Sequence, residues 1–443
     1  MSLQERAARA VAGTARLLAD PEEVARRRRD AGQTWTGGGL ADGCAGTVLL
    51  YAELSRRYGR YRAPAHAWLA GAVRSAGGGR APGGPDSIGL YGALPALSYA
   101  MHRAALTPAD HRGARAHLGR QVALVAGRLA DRELRRMADG ADCTRMEGYD
   151  LVSGLTGLGA HLLELCEVGE SGDDALEQVL TALVALTRPL GPLPGWWVAQ
   201  DVRTYDPTAP ERGHANLGLA HGVPGPLALL ALAWRQGVRV PGQQQAVRTL
   251  ADWLLARRRE DAAGIWWPES VELPPETRPE TLSETPSETP AERPAARPPR
   301  ASWCYGTPGI ASALHLAGTA LDVPHWRAAG ISALRQALAR PDAGPTDAGL
   351  CHGRGGLLQV TWRLARESGD PQLAAELPRL AEQLLDRYEE AGPFGFAAPA
   401  RRGDWADDPA GFLTGAAGAA LALHTFATDT APATRWDRAL LLA

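Results

Sequence analysis

Residues 302–318 read SWCYGTPGIASALHLAG, and this stretch contains the pattern from which the fold class follows. A short G-x-x-G loop is followed at once by an apolar run long enough for a helix. The same pattern occurs at residues 43–46, 89–92, 154–157, 222–225, 306–309, 353–356 and 415–418. One copy would be no more than a turn between helices. Seven copies, each in front of an apolar run, indicate a repeated architecture.

The segments around these loops alternate between two kinds of helix. The runs after the loops, such as PLALLALAW, are apolar on all sides, which is typical of buried helices. The segments between them, such as AVRTLADWLLARRRE, carry apolar residues at helical spacing and charges on the other face. The alternation predicts an all-α protein, an α/α toroid of seven inner and seven outer helices, with an N-terminal helix completing the seventh pair. All seven loops would lie at one end, where glycine permits positive φ and close backbone approach.

Composition restricts the class of protein further. The 443 residues are 45% hydrophobic and 22% charged, as in globular proteins, and the repeat runs through the whole chain, so we expect a single domain over residues 1–443. A net charge of −2 gives no general attraction for nucleic acid or an anionic membrane. The sequence contains no run of 18 apolar residues, so we expect no membrane-spanning helix. Five widely spaced cysteines and an N-terminus without an apolar signal core favour reduced thiols in the cytoplasm.

One segment interrupts the repeat. Residues 268–300, PESVELPPETRPETLSETPSETPAERPAARPPR, are dense in Pro, Glu and Thr. Such a composition cannot bury enough apolar surface to order itself. The repeat resumes directly afterwards, so we predict a disordered insert at about 268–300 within the domain and not a linker between two domains.

Two neighbouring loops carry metal-ligand residues. Cys304 lies in WCYGTPG, and Cys351 and His352 lie in GLCHGRGG, at equivalent ends of repeats five and six. Two thiolates and one imidazole are the donors of a zinc site, and a site with three protein ligands leaves a fourth position open for chemistry. We therefore predict Zn²⁺ bound by Cys304, Cys351 and His352. Cys44, in the first loop, is a rival as a fourth ligand, whereas Cys143 and Cys166 match no such position and are expected to be structural.

Other loop residues are candidates for acid–base chemistry. His221 precedes the glycine of the fourth loop, and an imidazole titrates near neutral pH, so it is a candidate general acid or base; His214 ranks below it. Asp150 comes four residues before Gly154 and either orients His221, transfers protons or caps a turn. Arg300 and Tyr305 flank Cys304 and can stabilise developing negative charge.

These motifs together resemble the lanthionine synthetase C-like (LanC) cyclase family over essentially the whole chain. The specific parts are YDLVSGLTG, NLGLAHGVPG, SWCYGTPG and GLCHGRGG. The resemblance implies an α/α toroid with zinc on Cys304, Cys351 and His352. It further implies acid–base roles for Asp150 and His221 and a site position for Arg300 and Tyr305. In the last repeat, GFLTG has a threonine where some relatives have glutamate, so no acidic role is carried over there.

The resemblance implies a reaction as well. The family adds a peptide cysteine thiol to dehydroalanine or dehydrobutyrine within the same peptide, which forms a thioether ring. The expected partner is a dehydrated precursor peptide, with dehydration supplied by a separate dehydratase. Three alternatives stay open at this stage. They are an enzyme that adds glutathione or another thiol to dehydrated residues, a toroidal glycosidase, and a zinc-containing scaffold that binds a peptide without catalysis. A glycosidase needs a carboxylate pair, and the loops offer only Asp150 clearly.

Overall fold

The computed structural model describes residues 1–30, 37–77, 88–140, 143–170, 172–198, 213–272, 301–340, 344–345, 347–396 and 409–443. These residues are mostly helical, with fifteen α-helices. Among them, no helix combines the length and apolar character that crossing a bilayer requires.

Seven of the helices begin at the glycine loops and are buried nearly throughout. Their ranges are α3 Cys44–Ser55, α5 Ala93–Ala104, α7 Leu155–Glu167, α9 Pro224–Arg235, α11 Thr307–Ala320, α13 Arg354–Ser368 and α15 Ala416–Thr428. Every residue of α3 is buried, as its apolar sequence predicts. Helix α3 packs against α5, the helices from α7 to α15 each pack against the next of this set, and α15 packs against α3. Between α5 and α7, the side chains of Ser98 and His161 are hydrogen-bonded to each other.

The other eight helices are amphipathic or charged. Their ranges are α1 Leu3–Leu17, α2 Pro21–Asp30, α4 Arg62–Gly77, α6 Arg112–Asp139, α8 Asp173–Ala185, α10 Gln243–Ala256, α12 Pro324–Ala339 and α14 Pro371–Leu385. Each even-numbered helix from α4 to α14 packs on the buried helix before it. Helix α1 packs on α15, so an N-terminal helix completes the seventh pair as predicted. The short α2 is an additional helix that the sequence pattern did not reveal.

Within the described ranges, three two-stranded antiparallel ribbons lie outside the helices. Their strands are β1 Pro189–Leu190, β2 Leu193–Pro194, β3 Ala215–Asn216, β4 Arg259–Asp261, β5 Gly264–Trp266 and β6 Ser270–Val271. β1 pairs with β2, β4 with β5, and β3 with β6. Strand β6 lies at the start of the segment of about 268–300 for which the sequence predicts a disordered insert, and its residues pair with β3. The insert as a whole stays a prediction. Residues 273–300 lie outside the described residues.

Backbone hydrogen bonds join the seven loops in sequence. The bonds run from Leu40 to Tyr91, Tyr91 to Val152, Leu151 to Ala220, Ala220 to Cys304, Cys304 to Cys351, Cys351 to Leu413, and Leu413 back to Ala41, in each case from N–H to carbonyl. Their N···O distances lie between 2.8 and 3.4 Å. Each loop is therefore held to the loops on either side, and the last is held to the first.

The loop glycines are required mainly for close approach. A Cβ on Gly46, Gly157 or Gly309 would collide with the carbonyl oxygen of the residue six positions earlier. Among the loop glycines only Gly306 has a positive φ, of 115°, so close approach explains more of these glycines than positive φ does. In the second loop, the glycines also stand at different positions relative to the start of the helix. Gly92 directly precedes its helix, which is the place that Gly43 holds in the first loop.

The last described segment of the chain is buried among these helices. Trp436 and Leu440 are both 0% exposed and belong to a short 3-10 helix. The carbonyl of Leu440 accepts a hydrogen bond from the Trp303 indole, and the carbonyl of Ala439 accepts one from Tyr91. Because Trp303 and Tyr91 lie in two of the glycine loops, this segment supports the loops from the interior.

Candidate functional site

The loops before α11 and α13 bring three metal-ligand side chains together. Cys304, Cys351 and His352 each offer one ligand atom, and these atoms all lie within 4.8 Å of one another. The two loops are tied by the hydrogen bond from the Cys304 N–H to the Cys351 carbonyl, at 3.1 Å. Cys304 is 5% exposed, and the other two side chains are half-buried. In the described part of the chain, no other such group of three ligand residues occurs.

The donor set fits a tetrahedral metal ion. Zinc binds sulfur at about 2.3 Å and imidazole nitrogen at about 2.0–2.1 Å, which places tetrahedral ligands roughly 3.5–3.8 Å apart. Donor atoms within 4.8 Å of one another need only a small inward movement to reach that spacing. With three protein donors, the fourth position of a tetrahedron would be left for another ligand.

The surroundings favour the ionised form of Cys304. A hydrogen bond with Cys351 holds the pKa of the Cys304 thiol well below its ordinary value, and His352 and Ser302 lower it further. Burial opposes them and raises the pKa, but the hydrogen-bonding partners prevail. A thiolate is the form that binds metal, so the protein prepares this sulfur as a ligand.

Asp347 lies behind the histidine of the cluster, and sequence reasoning missed it. Its Oδ2 lies 3.7 Å from Nε2 of His352, and its Oδ1 accepts a hydrogen bond from the Gly349 N–H at 3.0 Å. Metal-binding histidines commonly donate their second ring N–H to a carboxylate, which orients the ring. The sequence feature that could have indicated Asp347 is its position four residues before Cys351 in DAGLCHG.

His221 and Asp150 are in contact on loops that adjoin the metal-ligand loops. Asp150 is 0% exposed, and its Oδ2 lies 2.7 Å from Nδ1 of His221. The same carboxylate accepts hydrogen bonds from the backbone N–H and the hydroxyl of Ser153, so it also holds a turn. With Nδ1 directed to Asp150, the carboxylate fixes the orientation of the ring. The backbone of Ala220, next to His221, bonds to the Cys304 carbonyl and links this pair to the metal-ligand loop.

Tyr305 lies between the ligand loop and the histidine. Its ring centroid is 6.2 Å from that of His221, and its hydroxyl accepts a hydrogen bond from Nδ2 of Asn216 at 2.9 Å. Burial raises the pKa of Tyr305 well above its usual range, so the phenol stays protonated. Asn216 is the second residue that sequence reasoning missed, although it opens the motif NLGLAHG.

A family model for lanthionine synthetase C-like protein matches residues 34–441, which is most of the chain. The chain belongs to the lanthionine synthetase C-like family. A curated relative of this lanthionine synthetase C-like chain is the nisin biosynthesis protein NisC of Lactococcus lactis subsp. lactis, at 25% identity over 303 residues. That match covers 66% of this chain and 64% of the relative, somewhat less than two thirds of the relative's length.

A solved structure has the same fold. The structure titled nisin cyclase matches this lanthionine synthetase C-like protein with a TM-score of 0.73 and 20% identity, covering 95% of this chain and 96% of the other. At that identity the likeness establishes the fold. The family and the mostly helical fold expected from the motifs are thus both confirmed.

Several sequence candidates lie apart from the cluster. Arg300 lies outside the described residues, so its predicted place in the site stays a prediction. Cys44 begins α3 and lies near Gly71 of α4, away from the three ligand atoms, so the described residues do not support a fourth ligand. His214 pairs through its backbone with Val198 and is 3% exposed. Cys143 and Cys166 are also outside the cluster.

Proposed function

We propose that this chain is a zinc-dependent lanthipeptide cyclase that adds cysteine thiols to dehydroalanine or dehydrobutyrine within one peptide, forming thioether rings. The observation that carries the proposal is the convergence of Cys304, Cys351 and His352 beside the His221–Asp150 pair. Family membership and the nisin-related relative support it.

We infer that the fifteen helices belong to one domain with the form of an α/α toroid, interrupted by the insert at about residues 268–300. The support is the set of hydrogen bonds that passes through all seven loops and returns to the first. The contacts between the buried helices follow the order of the loops, and α15 packs against α3, which agrees with closure of the ring. A toroid of this kind presents all its loops at one end, which suits a peptide that enters segment by segment.

The metal and the side chains have separate tasks. When bound, zinc on Cys304, Cys351 and His352 supplies a position that holds the substrate cysteine as a thiolate, a form that is only a few per cent populated for a free thiol at pH 7. His221 delivers a proton to the α-carbon after the sulfur has bonded to the β-carbon. Asp150 keeps the His221 ring in place through Nδ1 and stabilises its protonated form.

The negative charge that develops on the substrate needs a hydrogen-bond donor. As the carbon–sulfur bond forms, the electron pair of the double bond moves towards the carbonyl oxygen of the dehydrated residue and gives an enolate. Tyr305 is half-buried, stays protonated and lies beside His221, so it is the described side chain best suited to donate to that oxygen. Arg300 is retained in the same role on sequence grounds alone.

The substrate we propose is a dehydrated ribosomal precursor peptide, prepared by a separate dehydratase. The test is to incubate the purified protein near pH 7 with a peptide that contains one cysteine and one dehydroalanine. The thiol is then blocked with iodoacetamide and the products are weighed by mass spectrometry. Loss of the free thiol without change in peptide mass is the expected result.

Two other outcomes separate the alternatives. Adding glutathione to the same reaction should leave ring closure dominant, and a product carrying glutathione instead would favour the enzyme that adds an external thiol. Peptide binding with zinc present but no loss of thiol would identify a non-catalytic scaffold and would sink the proposal.

A further inference from the structure

Asn216 stands between the fourth loop and Tyr305. Its side chain is 0% exposed, and it is the single asparagine in the 443 residues of the chain. Its Nδ2 donates to the Tyr305 hydroxyl at 2.9 Å, and its Oδ1 accepts from the Gly218 N–H at 2.8 Å. Both ends of the amide are thus engaged in a place without contact with water.

The direction of these hydrogen bonds follows from one backbone group. The Gly218 N–H can only donate, so the atom facing it must be the oxygen of the Asn216 amide. The other end is then the NH₂ group, which can only donate, so the Tyr305 hydroxyl must accept. A hydroxyl that accepts from one side keeps its own hydrogen for another acceptor.

The loop also fits the phenol ring. A Cβ on Gly218 would lie 2.7 Å from Cδ1 and Cε1 of Tyr305, so the absence of a side chain there lets the ring lie against the loop backbone. On the same loop, the backbone oxygen of Asn216 accepts from the Val223 N–H at 3.0 Å. Tyr305 is therefore held by its ring and by its hydroxyl from residues 216–218.

We propose that Asn216 is a positioning residue that directs the Tyr305 hydroxyl hydrogen towards the substrate oxygen, so that the tyrosine acts as a hydrogen-bond donor to the enolate. The inference rests on the proposed cyclase function. The phenol makes no bond in the reaction and gives up no proton; it lowers the energy of the charge that appears on oxygen.

The test is the Asn216→Asp substitution, which keeps the shape and an acceptor for the Gly218 N–H. A carboxylate cannot donate, so the Tyr305 hydrogen turns towards it and away from the substrate. Removing a donor to a developing oxyanion typically costs about 10²–10³ in rate. We expect kcat to fall to the level of Tyr305→Phe, with KM and zinc content unchanged, and we expect the double variant to be no slower than either single one.

Gln243 provides the matched control. It is also 0% exposed, its Oε1 accepts from the Val240 N–H at 2.9 Å, and its Nε2 donates to the Leu230 carbonyl at 2.9 Å. Gln243→Glu makes the same amide-to-acid change at the start of α10, where only backbone partners are involved. It should lower stability without changing the ring-forming rate per folded molecule. The proposal is overturned if Asn216→Asp lowers kcat no more than Gln243→Glu does. It is also overturned if the effect of Asn216→Asp on kcat adds to that of Tyr305→Phe.

A second readout does not depend on activity. In protein labelled with 3-fluorotyrosine, the ¹⁹F signal of Tyr305 is assigned by its loss in Tyr305→Phe. Asn216→Asp should move that signal, and so should Asn216→Ser, whose shorter side chain has an oxygen that can accept from Gly218 but has no amide NH₂ group to donate to the Tyr305 hydroxyl. If wild type forms no rings yet the signal moves, the cyclase proposal fails and the hydrogen-bond assignment stands. If the signal stays in place in both variants, the positioning role is wrong.

Discussion

Two polar groups of this protein lie towards opposite ends of the set of buried helices. The loop-end cluster comprises Cys304, Cys351, His352, His221 and Asp150, at the N-terminal ends of the buried helices. The interior ion-pair network lies towards their C-terminal ends and comprises Glu53, Arg103, Glu164, Arg363, Asp437 and Arg438. Asp437 faces the guanidinium of Arg363 at 2.6 and 2.8 Å, and Glu164 forms ion pairs with Arg103 and Arg438.

The two groups differ in donor chemistry, and Cys351 and His352 of the cluster are also more exposed than Asp437 and Arg438 of the network. In the network, Asp437 and Glu164 face arginines, and Glu53 accepts hydrogen bonds from the Thr434 hydroxyl and from the backbone N–H groups of Ala433 and Thr434. Pairing and hydrogen bonding of this kind is the usual way to tolerate buried ions. In the cluster, two sulfurs and an imidazole converge, and two neighbouring thiolates repel each other unless a cation lies between them. Groups that repel one another when they are close, placed next to a histidine of fixed orientation, are typical of a functional site. The contrast predicts that changes in the cluster reduce chemistry and changes in the network reduce stability.

The largest effect is expected from Cys304→Ala combined with Cys351→Ala. Wild type should hold about one zinc per chain. The double variant should lose the metal and with it ring formation down to background. It should still fold, because the helices supply a core that does not depend on metal, unlike a small zinc domain. Elemental analysis, mass spectrometry of the peptide and thermal unfolding measure the three quantities.

The control for this variant is Cys143→Ala with Cys166→Ala, which removes two half-buried thiols outside the cluster. It should keep both zinc and activity. Full zinc retention in the Cys304/Cys351 variant would remove the basis of the metal assignment.

His221→Ala should separate chemistry from metal binding inside the cluster. We expect zinc and peptide binding to persist while the rate of ring formation falls about 10²–10⁴-fold, the usual contribution of general acid–base catalysis. Asp150→Asn should be similar or milder, since Asp150 orients the ring. Rates are compared near neutral pH, where the uncatalysed addition is slow. Wild-type rates in His221→Ala, together with a loss in His214→Ala, would transfer the role to His214.

Asp437→Ala tests the other side of the comparison. It leaves Arg363 buried without its carboxylate, and breaking a buried pair in this way typically costs about 3–5 kcal/mol of the free energy of unfolding. Zinc content and activity per folded molecule should stay near wild type. Urea unfolding gives the free energy, and the exposed pair Arg26–Asp30 supplies the control, since Asp30→Ala should barely move the midpoint. A fall in stability as small as that of the control would contradict the structural assignment of the network.

The smallest effect is expected from Asp347→Asn, which changes a partner of a ligand and not the ligand itself. The amide can still accept from the Gly349 N–H, but it no longer offers a negative charge to His352. Substitutions of this type typically weaken metal affinity about 10–100-fold. Competition with a chelator measures the zinc Kd, and the metal-free protein should unfold at its usual temperature. An unchanged Kd would show that Asp347 serves the loop alone.

Local patterns in the chain were enough to predict much of this arrangement. The apolar run after each loop predicted the seven buried helices, because burial on all sides leaves no room for charge, as in α3 and α11. The position of the second loop relative to its helix was misjudged, because a G-x-x-G string does not show which glycine must approach a backbone carbonyl. Helix α2 was not predicted, because its sequence PEEVARRRRD has too few apolar residues to show a helical period.

By itself, the sequence determined the helical class, the family and the three metal-ligand candidates, since each depends on residue types at short, repeated spacings. Only the tertiary structure decided that Asp150 bonds to His221, that Asp347 faces His352 and that Asn216 holds Tyr305. The partners in the first and third of these contacts are 71 and 89 residues apart. Their proximity results from hydrogen bonds between loops of different repeats, and no local pattern encodes which loops become neighbours.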